Sequence, residues 1–223
     1  AHLLEAAVAE ARGDWGVAAR ARTAYLALHP EDPEAHRRLA TALLAAGRTE
    51  AATAALESAS AADPEAWSIA LTLAGAHDAA GRAGQGVDVI DAWLARHPDD
   101  ARAHAARGWL SLSLGDADSA ARSLETAVRL EPGHLGAALA LGDLRQAQAG
   151  LETAITLLRD LVARSGGRPE LRFELGRLLL QADGRSAEGL ELVTSAFDSD
   201  MESAAYSLAG ARTLLGALLA ADD

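Results

Sequence analysis

Pro30, Pro64, Pro98 and Pro132 stand 34 residues apart, and Gly166 takes the next place in that series. Gly13, Gly47, Gly81 and Gly115 recur at the same interval, each 17 residues ahead of one of these prolines. A fixed period of this length is the signature of stacked supersecondary units, and overlooking it would misassign the whole fold. Each unit carries two turn signals, so it divides into two helices of about 12–15 residues joined by a tight turn. Composition agrees. Ala and Leu dominate, and both favour helix. Four Trp, two Tyr and two Phe are too few to anchor a large sheet sandwich. Apolar runs are always interrupted before the roughly 18 residues of a membrane span, so no membrane insertion is expected.

Within a unit, small and large residues keep fixed places. The segment from Pro33 has Leu39, Ala40, Gly47, Ala52, Leu56, Ala59 and Pro64; the segment from residue 99 has Gly108, Gly115, Asp116, Ala120, Leu124, Ala127 and Pro132. Small residues let two helices approach, the larger ones fill the seam, Gly turns the chain and Pro stops the second helix. This pattern resembles the tetratricopeptide repeat family over essentially the whole chain. The resemblance implies an all-α, right-handed α-solenoid, or superhelix, of helix–turn–helix repeats. Repeats fall at about 1–30, 31–64, 65–98, 99–132, 133–166 and 167–201, with a capping helix over 202–221 centred on Ser203–Ala220.

Three departures stand out. Asp63-Pro64-Glu65 reads as an N-cap with Pro in the first turn, which predicts a helix starting at Pro64 without the usual spacer. Gly81-Arg82-Ala83-Gly84-Gln85-Gly86 reads as a flexible, poorly capped turn ahead of a loosened second helix. In the sixth repeat Gly176, Gly184, Gly189, Val193 and Ala196 fit only if the first helix holds one extra residue. The chain starts at Ala1 in helical phase and without Met, as expected of a segment of a longer or processed protein.

The formal net charge of −12 disfavours binding to a phosphate backbone. Every one of the 20 basic residues is Arg, and neither Lys nor Asn occurs, which predicts a high-GC, bacterial gene. Without Cys there are no disulfides, thiolate metal sites or Cys nucleophiles. No nucleophile elbow, phosphate loop or dinucleotide fingerprint is present. His29 and His36, like His97 and His104, are seven residues apart. The repeat explains this spacing: one His ends a helix and the other begins the next, so no metal site is expected. Catalytic residues and cofactors are likewise not expected.

The family resemblance implies a concave face lined by the first helix of each repeat. Carried over by position, it includes Glu34, Arg37 and Thr41; Leu71 and Asp78; Arg102, Trp109 and Leu112; Leu139, Asp143 and Gln146; and Phe173, Arg177 and Leu180, with Arg212 from the cap. Trp109 either anchors a partner or fills space between neighbouring first helices. Trp15, Trp67 and Trp93 are expected to be structural. The Lys/Asn clamp by which some family members hold a C-terminal carboxylate is absent. The resemblance therefore implies a non-catalytic scaffold that binds a protein or peptide rather than nucleic acid, with self-association left open. Alternatives are a periplasmic scaffold segment of a bacterial envelope or polysaccharide-export system, an RNA-binding helical-hairpin array, and a non-catalytic domain of an enzyme.

Overall fold

Residues 2–184 and 186–197 are described in the computed structural model. They form twelve helices, with no strand among the described residues. The first helices of the successive hairpins are α1 (His2–Ala11), α3 (Pro33–Ala45), α5 (Trp67–Ala79), α7 (Ala101–Ser113), α9 (Leu135–Ala149) and α11 (Pro169–Ala182). The second helices are α2 (Trp15–Leu26), α4 (Thr49–Ala62), α6 (Ala83–Leu94), α8 (Ala117–Leu130), α10 (Leu151–Arg164) and α12 (Ala187–Phe197). From α3 to α11 the first helices start at strict intervals of 34. The capping helix expected over 202–221, and Arg212 with it, lies outside the described residues.

The periodic glycines do what their spacing implies. Gly13, Gly47, Gly81 and Gly115 all have φ between +71° and +75°, the left-handed conformation that ends a helix without a Cβ clash. At each, the next residue's N–H reaches back to a carbonyl five residues earlier, as in Arg48 N to Leu43 O at 2.8 Å and Arg82 N to His77 O at 2.8 Å. At two of the other joints, between hairpins, an aspartate N-cap organises the turn. Asp32 Oδ1 accepts from Ala35 N at 2.9 Å, and Asp100 Oδ1 accepts from Arg102 N at 3.0 Å.

Two of these joints are copies of each other. The Tyr25 hydroxyl donates to Asp32 Oδ2 and Trp93 Nε1 donates to Asp100 Oδ2, both at 3.1 Å. Tyr25 stacks on His29 and Trp93 on His97, with ring centroids 4.5 and 4.3 Å apart. His36 Nε2 meets the Pro30 carbonyl at 2.9 Å, and His104 Nε2 meets that of Pro98 at 2.8 Å. The paired histidines are thus parts of the hinges between repeats, as their spacing suggested.

Small residues set the helix separations. A Cβ on Gly86 would stand 2.8 Å from the Ala74 carbonyl oxygen, so α5 and α6 touch backbone to backbone. The same holds at Gly176, whose added Cβ would lie 2.8 Å from Gly189 O. Pairing of Gly176 with Gly189 rather than with residue 188 is the expected one-residue slip.

Two expectations fail. The helix expected at Pro64 begins at Trp67, because Asp63 ends α4 and uses its carboxylate to bond Glu65 N at 3.1 Å, forming a turn of the usual length. Nor is α6 loosened by its glycines. It is a continuous helix from Ala83, and Gly86 is present for the close contact with Ala74. It does lack a side-chain cap at Arg82, as expected.

The chain divides into two compact units at Asp116/Ala117. In the first, consecutive helices pack in order from α1 to α7, and the first helices also touch one another, α3 with α5 and α5 with α7. No comparable contact joins α2 to α4 or α4 to α6. The row of first helices is therefore the tighter, inner side of this unit. Its core runs from Ala9 through Leu56 to Leu73, with a second cluster around Ile90, Trp93 and Leu110. In the second unit consecutive helices pack from α8 to α12, and α9 also meets α11.

Candidate binding surface on the first helices

In the first unit, α5 and α7 present three large apolar side chains to solvent: Leu71 and Trp109, each 41% exposed, and Leu112, 38% exposed. Leu71 and Trp109 border a hollow of about 180 Å³ whose other walls are Ala74, Gly75, Asp78, Ala106 and Leu110. The helix pair forms this hollow because small residues, Ala74, Gly75 and Ala106, lie between the large ones. Asp78 stands at its rim, held by a 3.3 Å hydrogen bond from the Ser113 hydroxyl on α7.

The expected cationic residues of this unit are engaged within the fold. Arg37 grips Glu34 with two hydrogen bonds of 2.7 and 2.6 Å, and Arg38 shares the same carboxylate at 2.7 Å. The bond from Arg37 outweighs partial burial, and Arg38 adds to it, so the Glu34 carboxyl is lowered to about 2. The Thr41 hydroxyl donates to the Arg37 carbonyl at 3.1 Å and is exposed. Arg102 bonds Asp100 and lies 5.4 Å over the Trp67 ring. Burial pushes the Asp100 carboxyl up, but the bonds from Arg102 and Trp93 prevail and hold it below its ordinary value. Trp67 and Trp93, 5.1 Å apart, border an open hollow at this joint with Glu65, His97 and Asp99. Trp93 is buried and Trp67 half-buried, which makes both structural, as expected. Trp15 packs half-buried on the core of the first unit.

The second unit carries a different, polar face. Asp143 and Gln146 on α9 meet α11, where Arg177 Nε bonds both oxygens of Glu174 at 3.0 Å and Gln146 Nε2 reaches Gln181 Oε1 at 3.4 Å. Burial and the nearby Glu174 charge raise the Asp143 carboxyl above its ordinary value, with Arg177 opposing them. Leu139 and Leu180 are half-buried. Phe173 is a correction. It was expected on the binding face but is 2% exposed, because the glycine contact between α11 and α12 lets Val193 and Ala196 close over it. It presents no surface to a partner.

Three tetratricopeptide repeat family models match the chain: one over residues 9–66 and 43–110, one over 101–134 and one over 137–204. The chain belongs to the tetratricopeptide repeat family. Among solved structures it resembles pilF of Pseudomonas aeruginosa at 19% identity and TM-score 0.62, over 95% of this chain and 96% of that one. A tetratricopeptide repeat protein of Parabacteroides merdae matches at 13% identity and TM-score 0.60, over 97% of each chain. Human IFIT1, solved as a dimer with m7Gppp-AAAA, matches at 15% identity and TM-score 0.65, over 91% of this chain and 49% of its own. At these identities the likeness is one of fold. A comparison with curated protein sequences returned no match. Tetratricopeptide repeat proteins are in general non-catalytic scaffolds that bind proteins or peptides.

The repeat register located Leu71, Asp78, Trp109 and Leu112 on the first helices but gave no sign that three of them, Leu71, Asp78 and Trp109, would share one hollow with Leu110 and Ala106. Gly75 was missed. Its signal was available, since it stands one period from Thr41 and one from Trp109, in the middle of a helix and away from any turn. Glu174 and Gln181 were also missed, because their roles depend on how α9 and α11 meet.

Proposed function

We propose that this tetratricopeptide repeat chain works by binding, holding an extended or helical segment of another protein on the concave face of its first helices. The anchor is the α5–α7 surface. The observation that carries this reading is that Leu71 and Trp109 border a hollow at the solvent surface, with Leu112 also exposed on the helix that carries Trp109; aromatic anchors of this kind contribute most to binding. The places equivalent to Trp109 in other units hold Thr41, Gly75, Asp143 and Arg177, so packing of the repeat does not require a large ring there.

A nucleic-acid partner is disfavoured by charge, not by fold; IFIT1, a structural relative, was solved with m7Gppp-AAAA. In this chain the net charge is −12, and Arg37, Arg102 and Arg177 are each committed to a carboxylate. Few cations on this face remain to displace counterions from phosphates.

The test is Trp109→Ala. Removing a half-exposed ring from a solvent-facing position should leave helicity and melting temperature nearly unchanged while weakening peptide capture by tenfold or more, about 1.4 kcal/mol. A large loss of stability with capture intact would make Trp109 a packing residue and overturn the proposal.

A further inference from the structure

Gly75 lies in the interior of α5, where glycine is among the poorest helix formers. Nothing in the packing requires it. A Cβ there would meet no atom within 4 Å, whereas at Gly86 and Gly176 it would strike backbone oxygens at 2.8 Å. Its backbone is not in the left-handed region either. What the missing side chain does is keep open the floor of the hollow beside Trp109.

The hollow has a specific chemistry. At about 180 Å³ it is smaller than the roughly 300 Å³ at which ligand pockets begin, and so suits one side chain. Its walls are apolar, from Leu71, Ala74, Ala106 and Leu110, with an indole on one side. Its rim holds a carboxylate, Asp78, whose partner is the Ser113 hydroxyl; no Arg or His among the described residues lies within ion-pair distance of it. Glu34 and Asp100, by contrast, already have arginine partners. An occupant that satisfies these walls has a long apolar stem and a cationic tip. Arginine fits better than lysine, because a planar guanidinium can stack on Trp109 and offer two donors to Asp78. The chain's own Arg102 shows the same pairing at the neighbouring joint, over Trp67 and bonded to Asp100.

We propose that the α5–α7 hollow takes one arginine side chain of a basic partner segment, its stem against Leu71 and Leu110 and its guanidinium between Trp109 and Asp78. This rests on the reading that the first helices hold a partner segment. The experiment is selection of a displayed library of random linear peptides on the whole chain, followed by affinity measurement on the recovered peptides. Recovered peptides should share an Arg at one aligned position. Replacing that Arg with citrulline, which keeps the shape and removes the charge, should weaken binding about tenfold. Asp78→Asn should largely erase the difference between Arg and citrulline. Gly75→Leu should fill the hollow and lose binding while melting no lower than the parent chain.

Recovered peptides with an apolar residue at the aligned position, or equal affinity for Arg, Lys and citrulline, would overturn the arginine assignment and leave the segment-binding reading standing. Peptides that bind Gly75→Leu as well as the parent would overturn the hollow as the site. Recovery of no peptide at all would overturn both proposals.

Discussion

At Gly86 an added methyl would lie 2.8 Å from the Ala74 carbonyl oxygen, while at Gly75 it would meet nothing within 4 Å. These two helical glycines should therefore respond oppositely to alanine. Gly86→Ala and Gly176→Ala should each destabilise by about 1–3 kcal/mol, since a backbone oxygen cannot step aside as a side chain can. Gly75→Ala should stabilise by up to about 1 kcal/mol through helix propensity. Urea denaturation of the three variants distinguishes the signs. Glu34 supplies a pH test. Its folded pKa, about 2, is below the unfolded value of 4.5, so its contribution is complete above pH 4.5 and is lost as pH falls toward 2. The pair is solvent-exposed, so the effect is at most about 1 kcal/mol. Melting temperatures of the parent and Glu34→Gln should converge over that window.

Among the elements, the joints carry the most information. Tyr25–His29–Asp32–His36 and Trp93–His97–Asp100–His104 form the same bonds two repeats apart. Asp32→Ala and Asp100→Ala should each cost about 1–2 kcal/mol, because each removes a helix cap and the partner of an aromatic donor together. Chemical denaturation of the two variants should give similar losses, as expected of equivalent joints. The sequence showed these histidines to be periodic and therefore structural. It did not show their partners, since a proline carbonyl as acceptor leaves no trace in residue type. The joint after α4 was misread for a related reason. Asp63-Pro64 matches a helix start locally, but Asp63 bonds within the turn and the helix waits until Trp67.

For the whole molecule, the period of 34 was enough to place helices, turns and close contacts, because each follows from one small or rigid residue at a fixed place. It was not enough to tell surface from core on the first helices. Phe173 and Leu71 occupy the same repeat position, yet the former is buried under α12 and the latter is exposed. The difference lies in the neighbours each meets: Phe173 packs with Val193 and Ala196, whereas Leu71 borders the hollow beside Gly75 and Trp109. The four tryptophans report directly on the surface made by α5 and α7. Nitrogen-15 NMR of the indole N–H groups, assigned by Trp→Phe substitutions, gives one signal each for Trp15, Trp67, Trp93 and Trp109. On titration with a captured peptide, the Trp109 signal should shift while those of Trp67 and Trp93 remain in place. A shift of Trp67 and Trp93 with Trp109 unmoved would put the partner at the joint and contradict the account.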